Sequence, residues 1–436
     1  SLVNTLGDGN TLAGLARQRI QGRPFTVTGY QHPSPNEFGA KGPLLLAAYA
    51  ALQDWDGLWL FDYGPGNDSV TMGRIRGFFD IAQHPAKMAN LTVAAHLFRR
   101  GDVAPALQEY TMALRPDAEI DLLHDRAGAW NVFSGSQLGL PPRLPLVSRV
   151  NVDVGPDAVG LPAPPSDPTG NIITADTGEL TWNLATAGKG FVTVNTARTK
   201  ALIGFTDQRE VDLGGVRFQP GTTQLGFSTL ALTLVRGSSF TQGGTALLVA
   251  SARCENSNLI WKDASHTSVG NQWGNAPTLI ETVPFTLTLP MAASRLAAWS
   301  LDERGQRKSP LNITGDTTHA VLNLDGSAAT LWYELEIAGG FASWQSEHFS
   351  VAELLDPLIS GPLAAPAGDG VANLAKYAFA LPPHSPAPAA ALPRAYPLAF
   401  AGETYLGFEY RSRTGAPDLT YQTQRSADLL EWADAA

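Results

Sequence analysis

The spacing of apolar residues predicts alternating helices and strands in the first quarter of the chain. Leu44–Leu52 is apolar on nearly every side, which is typical of a helix packed against a sheet. Gly57–Tyr63 is an apolar run that ends in polar and aromatic residues and is typical of a buried strand. Pro85–Arg100 begins with proline and ends in arginine, which suits the two ends of a helix. With the β run at Phe25–Thr28, this order indicates a parallel α/β segment.

From about residue 145 the apolar positions alternate with polar ones, which is the period of a strand. Val150–Val154, Gly190–Asn195 and Leu230–Val235 carry this pattern, and turns rich in Gly, Asp and Asn separate them. Short strands at intervals of roughly 8–12 residues predict an antiparallel β-sandwich.

The changes in pattern divide the chain into four predicted units. Residues 1–135 form the α/β segment, and residues 136–282 form the β-sandwich. Residues 283–345 are expected to form a small antiparallel β module of their own. Residues 346–436 form a tail module, in which the Pro/Ala-rich Pro382–Pro397 is expected to be a linker. The predicted fold class is therefore α/β plus all-β.

Composition narrows the classes of function. Apolar residues make up 44% of the 436 residues and charged residues 16%, which excludes a disordered chain or a coiled coil. The net charge of −10 gives no support to a phosphate-binding surface, so we expect no nucleic-acid partner. No apolar run approaches the length of about 18 residues that a membrane span needs, so we expect no membrane partner.

The cysteine content limits the disulfides and metal sites that the chain can form, and its first residues bear on whether it has been processed. Cys254 is the sole cysteine, so the chain forms no internal disulfide and no site that needs several cysteines. The sequence begins with Ser1, and no charged segment followed by an apolar stretch comes after it. We therefore expect a processed or truncated chain.

Several segments resemble parts of one family of enzymes. Thr26–Phe38 and Tyr49–Gly57 resemble the last βα units of (β/α)8-barrel glycoside hydrolases, in the clan that retains configuration with two glutamates. Further segments resemble the accessory β modules of such enzymes and a C-terminal module of secreted bacterial proteins: Ala175–Trp182, Phe191–Thr196, Leu301–Arg307, Leu331–Glu334 and Asp369–Tyr377. The resemblance implies a partial (β/α) barrel remnant followed by β-sandwich modules, in a secreted or periplasmic protein. Residues 1–115 are too few for eight βα units, which need about 250 residues.

The departures from this family bear on mechanism. The family pattern expects the nucleophilic glutamate where this chain has Gly29, and a second acidic position is Lys41. Glycine has no side chain that could attack an anomeric carbon, so the ordinary double displacement has no support. We expect Gly29 to leave a cavity where the carboxylate would stand.

Three residues near the expected strand ends are candidates for catalysis. Glu37 follows Asn36 in a dipeptide that resembles the acid/base pair of the family, although in a different loop; the alternative is a solvated loop carboxylate. Asp62 ends a strand whose carboxyl end would face an active site, or it caps the following turn. His32 lies close to the position of the lost nucleophile and could act with Glu37, or it is a polar surface residue.

Aromatic and acidic residues supply candidate binding sites. Aromatic rings can stack on sugar rings, although the same residues are equally expected in cores; the candidates are Tyr30, Trp59, Tyr63, Trp182 and Trp273. Carboxylates in the loops of the sandwich suit Ca²⁺, although acidic loops are more often simple turns; the candidates are Asp153, Asp157 and Asp176. No other cofactor is expected.

Two classes of function remain. One is a glycoside-hydrolase-like hydrolase that acts on a glycoside or another labile bond through His32, Glu37 and Asp62. The other is a non-catalytic carbohydrate-binding protein derived from a glycosidase. In either class the partner is a carbohydrate or small-molecule substrate. The open strand edges of a partial barrel also favour a homo-oligomer, unless the sandwich covers them.

Overall fold

The computed structural model combines helices with large antiparallel sheets. It describes these residues: 1–64, 66, 71–125, 137–400, 402–413, 416, 418–426, 430–431 and 433–434. Within these ranges, two sheets of nine and five strands dominate, and no barrel closes. The predicted boundary at 135/136 lies outside the described residues.

The first part of the chain contains two parallel strand pairs, each connected through a helix. Its elements are α1 (Thr11–Ala16), β1 (Thr26–Tyr30), α2 (Gly42–Leu52), β2 (Gly57–Leu60), α3 (Pro85–Arg99), β3 (Glu109–Leu114), α4 (Pro116–Asp125) and β4 (Arg149–Val154). β1 pairs with β2 and β3 pairs with β4, both in parallel. The expectation that Val150–Val154 opens the sandwich is thus wrong, because β4 lies beside β3 instead.

Local sequence explains where the two long helices begin and what they bury. Pro43 and Pro85 lie in the first turns of α2 and α3, where a missing N–H costs nothing. The His84 side chain caps α3 by accepting a hydrogen bond from the Lys87 N–H at 3.3 Å. Every residue of α2 is buried, as its nearly continuous apolar sequence predicts.

The β-sandwich consists of a nine-stranded sheet facing a five-stranded one. The nine-stranded sheet contains, in spatial order, β17 (Arg307–Pro310), β16 (Leu296–Leu301), β20 (Trp332–Ile337), β12 (Gly244–Ser251), β11 (Phe227–Arg236), β8 (Thr199–Phe205), β7 (Phe191–Asn195), β6 (Leu180–Asn183) and β5 (Ile172–Thr174). The five-stranded sheet contains β18 (Ile313–Gly315), β19 (Ala320–Leu324), β15 (Phe285–Leu289), β10 (Val216–Pro220) and β9 (Val211–Leu213). The hairpin of β13 (Cys254–Ser257) and β14 (Asn275–Ile280) forms a separate two-stranded sheet.

The two faces of the nine-stranded sheet belong to different cores. Alternate residues of β11 show this, because Ala231 packs with α2 and α3 whereas Leu230 and Leu232 pack with the five-stranded sheet. On the helix side, the Tyr49 ring of α2 lies 5.5 Å from the Trp182 ring of β6. The molecule therefore has three layers here, with the nine-stranded sheet in the middle.

The described strands between residues 283 and 345 all belong to the nine-stranded or the five-stranded sheet, and none of them forms a sheet of its own. β15 pairs with β10, and β20 pairs with β12, so strands from both sides of the predicted boundary lie next to each other. The sequence-based division at 282/283 therefore falls inside one sandwich. Local periodicity identifies a strand but not its partner, which is why the pattern suggested two modules.

The tail module has a small core of its own, formed by Trp344, Phe349 and Tyr377. The module contains α5 (Phe341–His348), α6 (Val351–Leu354), α7 (Pro357–Ser360), α8 (Asn373–Ala378), β21 (Arg394–Phe400), β22 (Glu403–Glu409), β23 (Gln424–Arg425) and β24 (Ala433–Asp434). It includes the whole of α5, so the predicted boundary at 345/346 falls inside a helix. The expected linker Pro382–Pro397 is fixed at both ends, because the buried Lys376 donates to Pro383 O and its last residues belong to β21. Among the described helices, none has both the length and the apolar character needed to cross a bilayer.

A core substitution after residue 283 tests whether the sandwich is one cooperative unit. Leu287 of β15 is fully buried between the sheets, whereas Thr288 beside it is half-buried on the outer face. We expect Leu287→Ala to lower the free energy of unfolding by about 2–5 kcal/mol in a single transition, and Thr288→Ala to change it by less than about 1 kcal/mol. Denaturation followed by tryptophan fluorescence and circular dichroism measures both. Two separate transitions, with the first alone shifted by Leu287→Ala, would show a separate module.

Candidate functional site

A group of exposed aromatic rings lies on the open side of the β1–β2 pair. Trp59, Phe61 and Tyr63 occupy alternate positions along and just after β2, and they are 55%, 61% and 55% exposed. Phe78, in the loop that precedes α3, is 59% exposed. Large apolar side chains rarely remain this exposed in a cluster unless the surface binds something.

Phe61 packs on a neighbouring ring, and Phe78 contacts the β13–β14 hairpin. The Phe61 ring lies 4.6 Å from Phe79, and the Phe78 ring lies 5.4 Å from Trp273, edge to face. The indole of Trp59 lies against Gly57, and a Cβ at position 57 would collide with it. We call Trp59, Phe61, Tyr63, Phe78 and Trp273 the aromatic band.

Glu37 lies in an ion-pair cluster and not in solvent. Its side chain is 9% exposed, and Oε2 lies 2.9 Å from His266 Nδ1. Arg253 Nη2 lies 3.2 Å from Glu37 Oε1, without the alignment of a hydrogen bond, and 2.6 Å from Glu255 Oε2. The His266 ring stacks on Trp261 at 4.8 Å. We call Glu37, Arg253, Glu255 and His266 the Glu37 cluster; it joins the loop after β1 to the hairpin.

His32 lies among other buried basic groups. Its Nε2 is 2.9 Å from the Tyr30 hydroxyl, and its ring packs against Gly42. Burial, together with the nearby Lys41 and Lys87, holds the pKa of His32 well below its usual range. Burial raises the pKa of Tyr30. His32 is therefore neutral near pH 7. Tyr30 is half-buried, and its stacking on a sugar stays a prediction.

Asp62 lies two residues after β2, not at its end as the sequence predicted, and stabilises the turn there. Its Oδ1 accepts a hydrogen bond from Gly64 N–H at 3.0 Å, and its carbonyl accepts one from the Gln31 amide. Within the described part of the chain, no hydrogen bond or ion pair joins any two of the side chains of His32, Glu37 and Asp62. The structure thus places the three expected catalytic residues in three separate settings.

Among the described residues, the ring of Phe61 lies beside Gly29, where the sequence predicted a cavity. Gly29 has a φ of 71° at an irregularity between β1 and β2, a conformation that favours glycine. A Cβ at this position would lie 3.2 Å from Phe61 Cδ2. The space beside Gly29 is thus occupied by an aromatic ring, and a glutamate there would be strained.

Two buried lysines lie beneath the loop after β1. Lys41 Nζ donates to Phe38 O at 2.8 Å, and Lys87 Nζ donates to Gln31 Oε1 at 3.3 Å. Among the described residues, no carboxylate lies within 4 Å of either ammonium. Burial lowers the pKa of Lys41 to about 7 and that of Lys87 to about 8. Near pH 7, Lys41 is therefore a partly neutral amine, at a position that the resemblance expects to be acidic.

Trp182 is a core residue, which corrects its assignment to substrate binding. It is fully buried, and its Nε1 donates to Val3 O at 2.9 Å. Trp273, by contrast, is half-buried and belongs to the aromatic band. Both tryptophans lie in β-rich segments of the sequence, so strand periodicity could not tell which of them is buried and which is accessible.

Two of the three aspartates proposed as Ca²⁺ ligands accept hydrogen bonds from backbone N–H groups of nearby loops. Asp176 accepts hydrogen bonds from the N–H groups of Leu107 and Gln108 and from Ser148 Oγ. Asp153 accepts one from Val159 N–H, and Asp157 lies exposed in the turn after β4. The described residues contain no group of three or more potential ligands for a metal ion. Calcium binding here stays a prediction.

Sequence reasoning missed part of the candidate site. Phe61 could have been found, because it shares the alternation of Trp59 and Tyr63 along and just after β2. Arg253, Glu255 and His266 gave no local signal, since long-range folding of the hairpin brings them to Glu37. In comparisons with known proteins, no family model, no curated protein and no solved structure matches this chain.

The buried Lys41 predicts a dependence of stability on pH. Its pKa is lowered from 10.5 to about 7, so between these pH values the unfolded chain binds more protons and stability rises with pH. Below pH 7 the full cost of burying the charge applies. We expect Lys41→Met to stabilise the protein at pH 7 by at least about 1.4 kcal/mol, the value of one pKa unit, and the gain to shrink toward pH 10.

Urea denaturation at several pH values measures this effect. The exposed Lys189 provides the control, because Lys189→Met should change stability little at any pH. A Lys41→Met protein that is less stable than wild type at pH 7 would contradict the argument.

Proposed function

We propose that the chain is a non-catalytic carbohydrate-binding protein derived from a glycosidase, with the aromatic band as its binding surface. The exposure of Trp59, Phe61, Tyr63 and Phe78 is the observation that carries this proposal. A pyranose ring presents C–H groups on one face, and these pack well on the electron-rich face of an aromatic ring. A row of such rings suits an extended chain of sugars.

Polar groups lie beside the band, as sugar hydroxyls require. Thr28 pairs with Trp59 across the two strands and is exposed on the same face. At the other end, His266 of the Glu37 cluster is 38% exposed. These side chains could fix the orientation of a sugar that the rings hold by stacking.

The β1–α2–β2 unit also supports descent from a barrel. The two strands are parallel, α2 covers one face, and the loops after Tyr30 and Leu60 leave from the same end of the pair. Binding sites of (β/α)8 enzymes lie at that end of the strands. We extend the proposal to a partial barrel remnant in a secreted or periplasmic protein, where polysaccharides are met.

Loss of a band residue tests carbohydrate binding. We expect soluble polysaccharides to retard wild type in affinity electrophoresis, and Trp59→Ala to weaken binding at least about tenfold, or 1.4 kcal/mol. Phe408 provides a control, because it is comparably exposed but lies on β22 of the tail module. Phe408→Ala should bind as wild type does. Equal binding by Trp59→Ala would exclude the band.

Self-association is the competing use of the same surface. A second copy could cover the exposed rings and the open edges of β1 and β2. Light scattering separates the cases: a dimer that Trp59→Ala converts to a monomer, with no binding of any polysaccharide, would replace the carbohydrate proposal.

Hydrolysis is the second candidate, and the Glu37 cluster favours it. Glu37 Oε1 and Glu255 Oε2 both lie near Arg253 Nη2, so they are within about 6 Å of each other. Retaining glycosidases hold their two carboxylates about 5 Å apart. The near-complete burial of Glu37 leaves little room for a sugar, which is why binding ranks first.

Chromogenic substrates test this second candidate. If the pair is catalytic, wild type hydrolyses nitrophenyl glycosides, and Glu37→Gln and Glu255→Gln each lose at least about 100-fold in kcat/KM. Glu409→Gln, in an exposed ion pair of the tail module, should retain full activity. Absence of turnover by wild type would exclude hydrolysis of these substrates and leave binding as the function.

A further inference from the structure

A small cavity lies between the loop after β1 and the β13–β14 hairpin. Its volume is about 10 Å³, the space of a single water molecule. Residues 34–37 line one side, and residues of the hairpin, including Trp261, line the other. The cavity thus lies at the junction that the Glu37 cluster also bridges.

Three of the lining residues carry a buried polar atom without a hydrogen-bond partner. These atoms are Ser34 Oγ, Glu37 Oε1 and Trp261 Nε1. Asn256 also lines the cavity, but its amide is satisfied by Ile75 and Trp273. Leaving a buried polar group unpaired costs about 1–3 kcal/mol, so three around one cavity point to a shared partner.

The chemistry of these atoms selects the partner. The indole N–H of Trp261 can only donate, so it cannot ligate a cation. The carboxylate of Glu37 can only accept when ionised, so it repels an anion. A neutral group that accepts from Trp261 and donates to Glu37 satisfies both, and it can exchange either kind of hydrogen bond with the Ser34 hydroxyl.

We propose that this cavity binds one water molecule, held by Ser34, Glu37 and Trp261. The water accepts a hydrogen bond from Trp261 Nε1 and donates to Glu37 Oε1. It therefore connects the loop after β1 to the hairpin at a second point, beside the direct pairs of Glu37 with Arg253 and His266. The water also gives Glu37 Oε1 a hydrogen bond. The positively charged Arg253 lies close to this oxygen but is not aligned for a hydrogen bond with it.

A high-resolution crystal structure of the whole chain gives the first test. We expect one ordered water within about 2.6–3.2 Å of both Glu37 Oε1 and Trp261 Nε1. Absence of density in a well-ordered cavity, or a cation identified there by anomalous scattering, would overturn the proposal.

Oxygen-17 relaxation dispersion in solution gives the second test. We expect Trp261→Phe combined with Ser34→Ala to hold one long-lived water fewer than wild type. Trp273→Phe is the matched control, because this tryptophan lines the same cavity but its indole nitrogen is not among the partnerless buried atoms. An unchanged count in the folded double variant would overturn the proposal, and the wild-type crystal structure decides the matter if that variant does not fold.

Discussion

The burial of both faces of the nine-stranded sheet is the constraint on which the rest of the molecule depends. On β11, Leu230 and Leu232 point into the core between the sheets, whereas Ala231 points toward the helices. At this point the small Ala231 lets the helical layer approach the sheet closely, and the larger Leu230 and Leu232 fill the space between the two sheets. A sheet with two apolar faces must be covered twice, which is why the helical layer and the five-stranded sheet cannot be separated from it.

This arrangement determines where the candidate site lies. One face of β1 and β2 packs into the core that α2 and α3 form with the large sheet, and the aromatic band remains on the other face. The hairpin that follows β12 then reaches the loops at the end of this pair, where Asn256 bonds to the N–H and the carbonyl of Ile75. The same hairpin brings Arg253 and His266 to Glu37. The site is thus a junction between the α/β segment and the sandwich.

How much the sequence predicts depends on the range of the interaction. Leu44–Leu52 and Pro85–Arg100 agree closely with α2 and α3, because a helix depends on neighbours within four residues and on caps at its ends. The alternation of Val150–Val154 also predicted a strand, but not that β3 is its partner. The Glu37 cluster was unpredictable for the same reason, since the separation of Glu37 from its partners exceeds any local period. The sequence also could not show that the Phe61 ring, which is distant from Gly29 along the chain, lies beside it in the structure.

Polar groups between the layers explain why the helices hold one register on the sheet. Asn90 of α3 is completely buried, and its amide donates to Ala40 O at 3.1 Å and to Ser251 Oγ of β12 at 2.9 Å. Apolar contacts alone would tolerate sliding of α3 along the sheet, because leucine and alanine surfaces are similar at many offsets. A buried amide tolerates less, since sliding breaks its hydrogen bonds to Ala40 O and Ser251 Oγ. The hydrogen bonds of Asn90 therefore hold α3 and the loop before α2 at one place on β12, and with them the strand pair that displays the aromatic band.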